Sequence, residues 1–357
     1  MKQAIFITTS MLIPLTIVWA EDARQPSIQI VSREVIFSHT SEQLHFPFLH
    51  EAADGNWYMT YREGPHGPPD GDRVQCVMSK DRGKTWVDWP DLKAEPLLRF
   101  FRTQLKDGTW ISHRYELVSR EGANGVAIIL KSSDGGASWL RLEASVAGMP
   151  FPEDGYAGLW GHIRQLPDGR LLCGIYGRPQ PKQRRYINGV LESRDQGRSW
   201  RYLANVCADV SLGREGPNET DLLVLADGNL ICMFRTGGAY MQQARSNDGG
   251  KTWSEPSSLG IVGVSPQLLQ LQTGAVVCSF GRGDTVQPRD VHVMVDATGT
   301  AKHWSKPVLV YRGLGSGYTD IQAIGPDRFR LVYDESPFGT EKENYGRIVR
   351  TLIRIAG

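Results

Sequence analysis

Polar and aromatic residues recur at one spacing along the 357-residue chain, seven positions after a series of hairpin turns. These positions are Arg62, Tyr115, Tyr176, Arg235, Gly281 (followed by Arg282) and Glu335. A guanidinium binds a carboxylate through paired hydrogen bonds, and glutamate or tyrosine can transfer protons to a reacting group. The spacing places all of them at equivalent strand ends, so it predicts a ligand site where those ends converge.

The turns that set this spacing are mostly Asp-Gly pairs between alternating apolar runs. They are Asp54-Gly55, Asp107-Gly108, Asp168-Gly169 and Asp227-Gly228, continued by Thr273-Gly274 and the diverged Asp327-Arg328. Asp-Gly between β-type residues indicates a hairpin, because glycine accepts a positive φ. Six such turns predict six similar units.

A second motif, the Asp-box Ser-x-Asp-x-Gly-x-x-Trp, repeats with nearly the same period. Its copies are SKDRGKTW at 79–86, SSDGGASW at 132–139, SRDQGRSW at 193–200, SNDGGKTW at 246–253 and an eroded DATGTAKHW at 296–304. One active site needs one set of groups, so a motif copied this often is interpreted as structural. Asp and Ser are expected to bond the backbone of a tight turn, with Trp packed between units.

A repeat of about fifty residues fits a four-stranded propeller blade. The sequence therefore predicts an all-β, six-bladed β-propeller of four-stranded antiparallel blades with Asp-box turns. The predicted blades span 44–92, 97–146, 156–206, 216–260, 265–312 and 316–355. The leftover segment 27–37 is expected to close the ring by adding a strand to the last blade, which protects the sheet edges.

The first twenty residues resemble a secretory signal peptide, with Lys2, an apolar run and Val18-Trp19-Ala20 before Glu21. The alternative is a membrane anchor, which Pro14 and the short apolar run disfavour. We expect a signal peptide at 1–20, a single propeller domain at 21–357, and a secreted or periplasmic protein with no membrane span after cleavage.

Charge and cysteine content exclude several function classes. The formal net charge of +1 gives no basis for binding nucleic acid or an anionic membrane. Cys173, Cys232 and Cys278 share one repeat position and are expected to be small buried hydrophobic residues, not disulfides. No Cys or His spacing suggests zinc, and we expect no metal or cofactor. The sequence carries no signal for oligomeric state.

The Asp-boxes and the six predicted blades resemble the sialidase (neuraminidase) superfamily, whose repeats are also called BNR repeats. Segment 216–235, GPNETDLLVLADGNLICMFR, is similar to the sialidase segment in which a glutamate precedes an arginine by one strand and a hairpin. Segment 315–335, GSGYTDIQAIGPDRFRLVYDE, resembles the one that carries the catalytic tyrosine. The resemblance implies that Glu219, Arg235 and Tyr318 take those places.

The chemistry implied by the resemblance suits a terminal acidic sugar. A sialic acid carries its carboxylate on the anomeric carbon, which would repel an anionic nucleophile, and sialidases use a tyrosine instead. Tyr318 would be the nucleophile, Glu219 its base, and arginines would bind the substrate carboxylate. Each residue also has an ordinary alternative: Tyr318 as packing, Glu219 as an exposed loop carboxylate, and Arg235 as a rim salt bridge.

The general acid and the remaining arginines are less well defined by the resemblance. The loop at 61–76 occupies the place of the acid-bearing loop, so Asp70 is the first candidate and Asp72 the second, although Pro-Asp-Gly is also a simple turn. Arg289, just before the apolar run VHVMV, and Arg282 are both candidates for the third arginine.

The sequence departs from the family at the opening of the first blade. Sialidases have an Arg-Ile-Pro type motif there, whereas this chain has His45-Phe46-Pro47, with Arg62 as a possible substitute. Together with His66, His113 and His162, Tyr318 would also suit a lyase acting on uronates. The alternatives to a sialidase are therefore another acidic-glycan hydrolase, a uronate lyase, and a propeller that only binds glycan.

Overall fold

A computed structural model describes residues 26–65, 73–89, 101–180, 182, 184–282, 289–337 and 345–356. All regular secondary structure within these ranges is β-strand, which confirms the predicted all-β class. No helix among the described residues is both long and apolar enough to cross a membrane.

The strands of the first half of the chain are β1 (Ser27–His39), β2 (Leu44–Glu51), β3 (Trp57–Glu63), β4 (Arg73–Ser79), β5 (Val87–Asp88), β6 (Thr103–Gln104), β7 (Trp110–His113), β8 (Ser119–Glu121), β9 (Asn124–Ser132), β10 (Leu140–Ala147), β11 (Ala157–Gln165), β12 (Leu171–Gly177) and β13 (Ile187–Ser193). Those of the second half are β14 (Ser199–Cys207), β15 (Asn218–Val224), β16 (Leu230–Arg235), β17 (Tyr240–Ser246), β18 (Ser257–Val262), β19 (Val264–Gln270), β20 (Val276–Arg282), β21 (Asp290–Asp296), β22 (Val308–Tyr311), β23 (Thr319–Ala323), β24 (Arg328–Asp334) and β25 (Gly346–Ala356).

Most of the described strands pair antiparallel with their neighbours in the chain. Strands β2–β5, β15–β18 and β19–β22 each form one four-stranded sheet. Strands β6–β14 lie in one nine-stranded sheet, because β10 pairs in parallel with β14 between Ser145–Ala147 and Ser199–Arg201. The predicted segments 44–92, 216–260 and 265–312 thus each correspond to one sheet, and 97–146 and 156–206 share the large one.

The remaining sheet has the order β1-β25-β24-β23, so its outermost strand comes from the N-terminal part of the described chain. β1 pairs with β25 from Ser27 opposite Ala356 to His39 opposite Gly346. This confirms the expected closure by the segment 27–37. Strands β11, β15, β19 and β23 contact one another in succession, and β23 contacts β2, as in a ring of sheets around a common centre.

The hairpin turns adopt the expected backbone. Gly55, Gly108, Gly169, Gly228 and Gly274 all have φ between 81° and 91°. In the first turn the carboxylate of Asp54 accepts a hydrogen bond from the backbone N–H of Asn56 at 2.9 Å. These left-handed glycines reverse the chain, so each following strand runs antiparallel beside the one before it.

The Asp-boxes are structural, as predicted. In the first box the Asp81 carboxylate accepts the backbone N–H groups of Lys84 and Thr85 at 3.1 and 2.8 Å, and Ser79 Oγ accepts that of Gly83 at 2.7 Å. The boxes at Asp134, Asp195 and Asp248 repeat the pattern. Each box therefore satisfies the backbone of its own turn.

The box tryptophans pack between units, also as predicted. Trp200, on the strand β14, is 2% exposed and lies in one apolar cluster with Ile111 of β7 and Ile129 of β9. Cys173, Cys232 and Cys278 are completely buried, and all five cysteines are free, which confirms the interpretation as small core residues.

Candidate functional site

Irregular backbone marks the start of the central strands. The pairing of β15 with β16 shifts between Asn218 and Asp221, and Glu219 within that shift has φ of 44°. Ser265 in β19 (φ 45°) and Phe46 in β2 (φ 57°) occupy matching shifts. Non-glycine residues with positive φ are uncommon and strained, and such residues concentrate at ligand sites. These bulges bring Glu219 into the centre of the ring.

The carboxylate of Glu219 accepts hydrogen bonds from three other residues of the site. Tyr318 donates its hydroxyl hydrogen bond to Glu219 Oε1, and Arg235 Nη1 donates to the same oxygen at 2.8 Å. The other oxygen, Oε2, accepts the backbone N–H of Ser265 at 2.9 Å. Glu219 is only 5% exposed and lies within β15, so the alternative of an exposed loop carboxylate is wrong.

Arg235, at the end of β16, binds two carboxylates. Its Nη2 donates to Glu215 Oε1 at 2.9 Å in addition to the Glu219 contact. Burial opposes the charge of Arg235, but Glu219, Tyr318 and Glu215 together raise its pKa above the ordinary value. Arg235 therefore stays cationic and holds Glu219 in place beside Tyr318.

Arg289 is a second cation at the same centre. Its Nη1 donates to the carbonyl oxygen of Ser316 at 3.1 Å, two residues before Tyr318. Burial lowers the pKa of Arg289, and the charges of Tyr318, Arg235 and Glu219 also act on it. A guanidinium remains protonated at neutral pH after such a shift. The structure thus brings Tyr318, Glu219, Arg235 and Arg289 together.

The Tyr318 ring is fixed by packing. It meets Phe46 edge-on, with ring centroids 4.6 Å apart, and Trp160 lies 6.2 Å away. The preceding Gly317 has φ of 77°, and its carbonyl oxygen is so close to Gly281 that a Cβ there would lie 2.0 Å from it. This contact between β20 and the segment just before β23 fixes the position of the backbone that leads into Tyr318.

His45 lies at the expected place in β2, opposite Arg62 of β3. The side chain is completely buried: its Nε2 is 3.1 Å from Gln43 Oε1, and its Nδ1 is 3.6 Å from Asp334 Oδ2. Arg62 is half-buried. These contacts favour a role for His45 in positioning its neighbour Phe46, which itself packs on Tyr318.

Two other histidines join strands that are far apart in the chain. The backbone N–H and Nδ1 of His162 approach Asp221 at 2.9 and 3.1 Å, and His113 Nε2 lies 2.8 Å from the carbonyl oxygen of Gly161. Burial lowers the pKa of His113. Both are therefore held by structural contacts in this geometry.

For four residues that the sequence singled out, the structure describes no side-chain contacts. Asp70, Asp72 and His66 lie outside the described residues, and Arg282 ends β20 with its side chain outside the description. Among the residues that the structure does describe, no three His, Cys, Asp or Glu side chains are grouped to hold a metal ion.

A cavity of about 420 Å³ opens beside Glu219. Tyr176, which lines it, shares a 2.7 Å hydroxyl–hydroxyl hydrogen bond with Tyr115. Burial, Tyr115, Glu219 and Tyr318 raise the pKa of Tyr176 well above that of free tyrosine. Three of the predicted strand-end residues thus lie at or beside this cavity: Tyr176 and Arg235 line it, and Tyr115 bonds to Tyr176. Glu335 instead pairs with Arg33 of β1.

Sequence reasoning missed three parts of the site. Glu215 completes the pair of carboxylates on Arg235, and its position four residues before Glu219 was the available signal. The Ser265 N–H and the Trp160 ring come from other sheets, and no local pattern marks them.

Residues 117–325 match the model of the BNR repeat-like domain, and this covers more than half of the chain. The chain belongs to the BNR repeat-like domain family. A curated relative of this BNR chain, the anhydrosialidase of Macrobdella decora, is 30% identical over 128 residues, which is 35% of this chain but only 16% of the relative. The chain thus corresponds to a small part of that protein's length.

Solved structures show the same fold. A protein of unknown function from Dyadobacter fermentans superposes with a TM-score of 0.71 at 23% identity, over 92% of the BNR chain and 99% of its own. The α-L-arabinanase of Penicillium chrysogenum gives 0.61 at 14% identity, with the same coverage of 92% and 99%. The Trypanosoma rangeli sialidase gives 0.56 at 14% identity, over 87% of this chain and 55% of its own. The BNR chain therefore has the β-propeller fold of the sialidases.

Proposed function

We propose that the protein is a secreted or periplasmic sialidase-like exo-glycosidase, which removes a terminal acidic sugar from glycans. The observation that carries this proposal is the hydrogen bond from Tyr318 to Glu219, with Arg235 on the same carboxylate. We interpret the nine-stranded sheet as two blades joined at their outer strands β10 and β14, which makes six blades in all.

The proposed reaction has two steps. Glu219 takes the phenolic proton, and Tyr318 Oη bonds to the anomeric carbon while the glycosidic C–O bond breaks. A general acid protonates the leaving oxygen, and Asp70 is our candidate. In the second step water attacks the anomeric carbon and gives a proton to the now deprotonated Asp70, while the bond from the carbon to Tyr318 Oη breaks. Glu219 returns the phenolic proton to Tyr318, and the free sugar leaves.

Arg289 and Arg235 are the proposed partners of the sugar carboxylate. Arg235 has five N–H donors and uses two of its nitrogens for Glu219 and Glu215, so further donors remain. Arg289 donates from Nη1 to one backbone carbonyl. Arg282 and Arg62 complete the proposed set, with His45 acting behind them through Phe46.

Another glycan activity is the second candidate, favoured by the likeness to an arabinanase and by the absence of arginine at His45. A hydrolase for a different sugar would keep the Tyr318–Glu219 pair but release no sialic acid. A uronate lyase would form an unsaturated product that absorbs ultraviolet light. A propeller that only binds would retain glycan without changing it.

The test is hydrolysis of a fluorogenic sialoside by the parent and by Tyr318→Phe. Turnover by the parent that falls by at least about 10³-fold in Tyr318→Phe supports the proposal. Tyr311→Phe, on β22 and stacked on Tyr333, is a matched control that should retain activity. No turnover by a folded parent, or equal turnover by Tyr318→Phe, would overturn it.

A further inference from the structure

Three arginines line the cavity beside Glu219 without any carboxylate partner among the described residues. They are Arg178, which follows β12, Arg184, and Arg214, in the connection between β14 and β15. The cavity's two carboxylates, Glu215 and Glu219, both already bond to Arg235. The described lining therefore holds four arginines and two glutamates, and this excess of positive charge favours an anionic ligand.

Two tyrosine rings fix the position of the Arg178 side chain. Its guanidinium carbon lies 5.3 Å from the Tyr186 ring centroid and 5.9 Å from that of Tyr156, and Nη2 donates to Tyr186 Oη at 3.2 Å. Contacts of this kind hold a guanidinium without neutralising it. Arg178 Nη1 makes no hydrogen bond within the described part of the chain, so this arginine is ordered and still able to donate.

Arg214 is exposed, and its backbone N–H and Nε are held by a single carbonyl oxygen. Its backbone N–H donates to the carbonyl oxygen of Gly237 at 3.0 Å, and its Nε approaches the same oxygen at 3.5 Å. Neither Nη atom has a partner among the described residues. Arg178 and Arg214 thus reach the cavity from two different connections.

The cavity adjoins the proposed reaction centre and does not coincide with it. Glu219 and Arg235 line it, whereas the described residues Tyr318 and Arg289 do not. Its volume of about 420 Å³ falls within the range of about 300–1,000 Å³ usual for small-molecule sites. There is room for part of a second sugar beyond the one that Tyr318 attacks.

We propose that this cavity binds an anionic group, a sulfate ester or a carboxylate, on the sugar adjoining the one that is cleaved. The inference rests on the proposed function, since Tyr318 defines which sugar is cleaved. Arginine forks suit both anions. The protein would then select glycans that carry two neighbouring negative charges over glycans with a neutral second sugar.

The experiment compares matched substrates. kcat/KM is measured for sialyl-N-acetyllactosamine and for the form sulfated on O6 of its galactose, the sugar that adjoins the sialic acid. It is measured separately for sialyllactose and α2,8-disialyllactose, whose second sugar carries a carboxylate. We expect the parent to prefer the doubly charged member of at least one pair by about tenfold. Arg178→Gln and Arg214→Gln should bring that ratio toward one. Arg141→Gln, an exposed arginine on the outer strand β10, is the control for net charge and should keep the parent's ratio.

A binding measurement separates this inference from the proposed function. Calorimetric titration of the Tyr318→Phe protein with the same compounds needs no turnover. Tighter binding of the doubly charged compounds that Arg178→Gln abolishes would support the cavity even if no sugar is released. Equal affinities in every pair, or a preference that survives both Arg178→Gln and Arg214→Gln, would overturn the inference.

Discussion

The hydroxyl of Tyr318 is hydrogen-bonded to the carboxylate of Glu219, although the two residues are 99 positions apart in the chain. Glu219 lies in β15 and Tyr318 immediately precedes β23 of another sheet, and they are only 5% and 7% exposed. The pair is therefore assembled by the fold itself before any ligand arrives. A preformed, partly dry pair of this kind is what proton transfer from a nucleophile requires.

Glu219→Gln should lower kcat by about 10²–10⁴-fold, because the amide keeps the shape of the carboxylate but cannot accept the phenolic proton. Glu215→Gln is the matched comparison, since Glu215 also binds Arg235 but has no contact with Tyr318. We expect a much smaller loss there, and steady-state kinetics with the fluorogenic sialoside measures both. Equal losses would show that Glu219 acts only by holding Arg235.

Arg289→Lys should raise KM and lower kcat/KM by about 10–100-fold, because an ammonium cannot make the paired hydrogen bonds of a guanidinium. Arg289 tests the carboxylate contact more cleanly than Arg235, which also supports Glu219. Arg312→Lys, at an exposed arginine 3.6 Å from Asp290, is the control. Unchanged kinetics in Arg289→Lys would exclude Arg289 from substrate binding.

Acid should weaken the fold through His50. Burial, with the nearby charge of Arg102, lowers the pKa of His50 to about 3, against about 6.5 in an unfolded chain. The folded state therefore binds fewer protons, so the contribution of His50 is fully present above about pH 6.5 and is lost as the pH falls toward 3.

Urea unfolding at pH 7.5 and pH 5.5 measures this effect. Over that interval His50 should account for about 1.4 kcal/mol of the parent's loss in free energy of unfolding. His50→Gln should reduce the loss by that amount, whatever its own effect at pH 7.5. The same pH dependence in parent and variant would contradict the assignment.

Gly281→Ala should destabilise the protein by about 1–3 kcal/mol and lower activity, because its Cβ would lie 2.0 Å from the carbonyl oxygen of Gly317. The backbone before Tyr318 would have to move. Gly325→Ala is the control, since its nearest heavy atom would be 3.8 Å away. Denaturation midpoints and kcat should separate the two variants, and a neutral Gly281→Ala would refute the proposed support of Tyr318.

The sequence predicts the strands and turns of this fold well because the repeat is written locally. Each Asp-box bonds its own turn, and each hairpin glycine needs only its own left-handed backbone. The spacing from turn to strand end also predicts the position of Arg235, because the length of a strand is proportional to its number of residues.

Contacts between sheets could not be predicted in the same way. The Ser265 N–H that binds Glu219 and the close approach of Gly281 to Gly317 join different sheets. An exposed loop position was the alternative for Glu219, because Gly216 and Pro217 precede it. Arg178 and Arg214 lie in connections whose lengths do not follow the repeat, so nothing in the sequence marked their shared cavity.

The pairing of β1 with β25 has a consequence for how the chain acquires its structure. The two paired strands are separated by about three hundred residues of the chain. Closing so long a loop is entropically costly and slow, so this sheet should assemble late. Tyr318 enters the ring just before β23 of that same sheet. The contact of the proposed nucleophile with Glu219 would thus depend on a sheet whose two halves are joined by the longest loop closure among the described strand pairs.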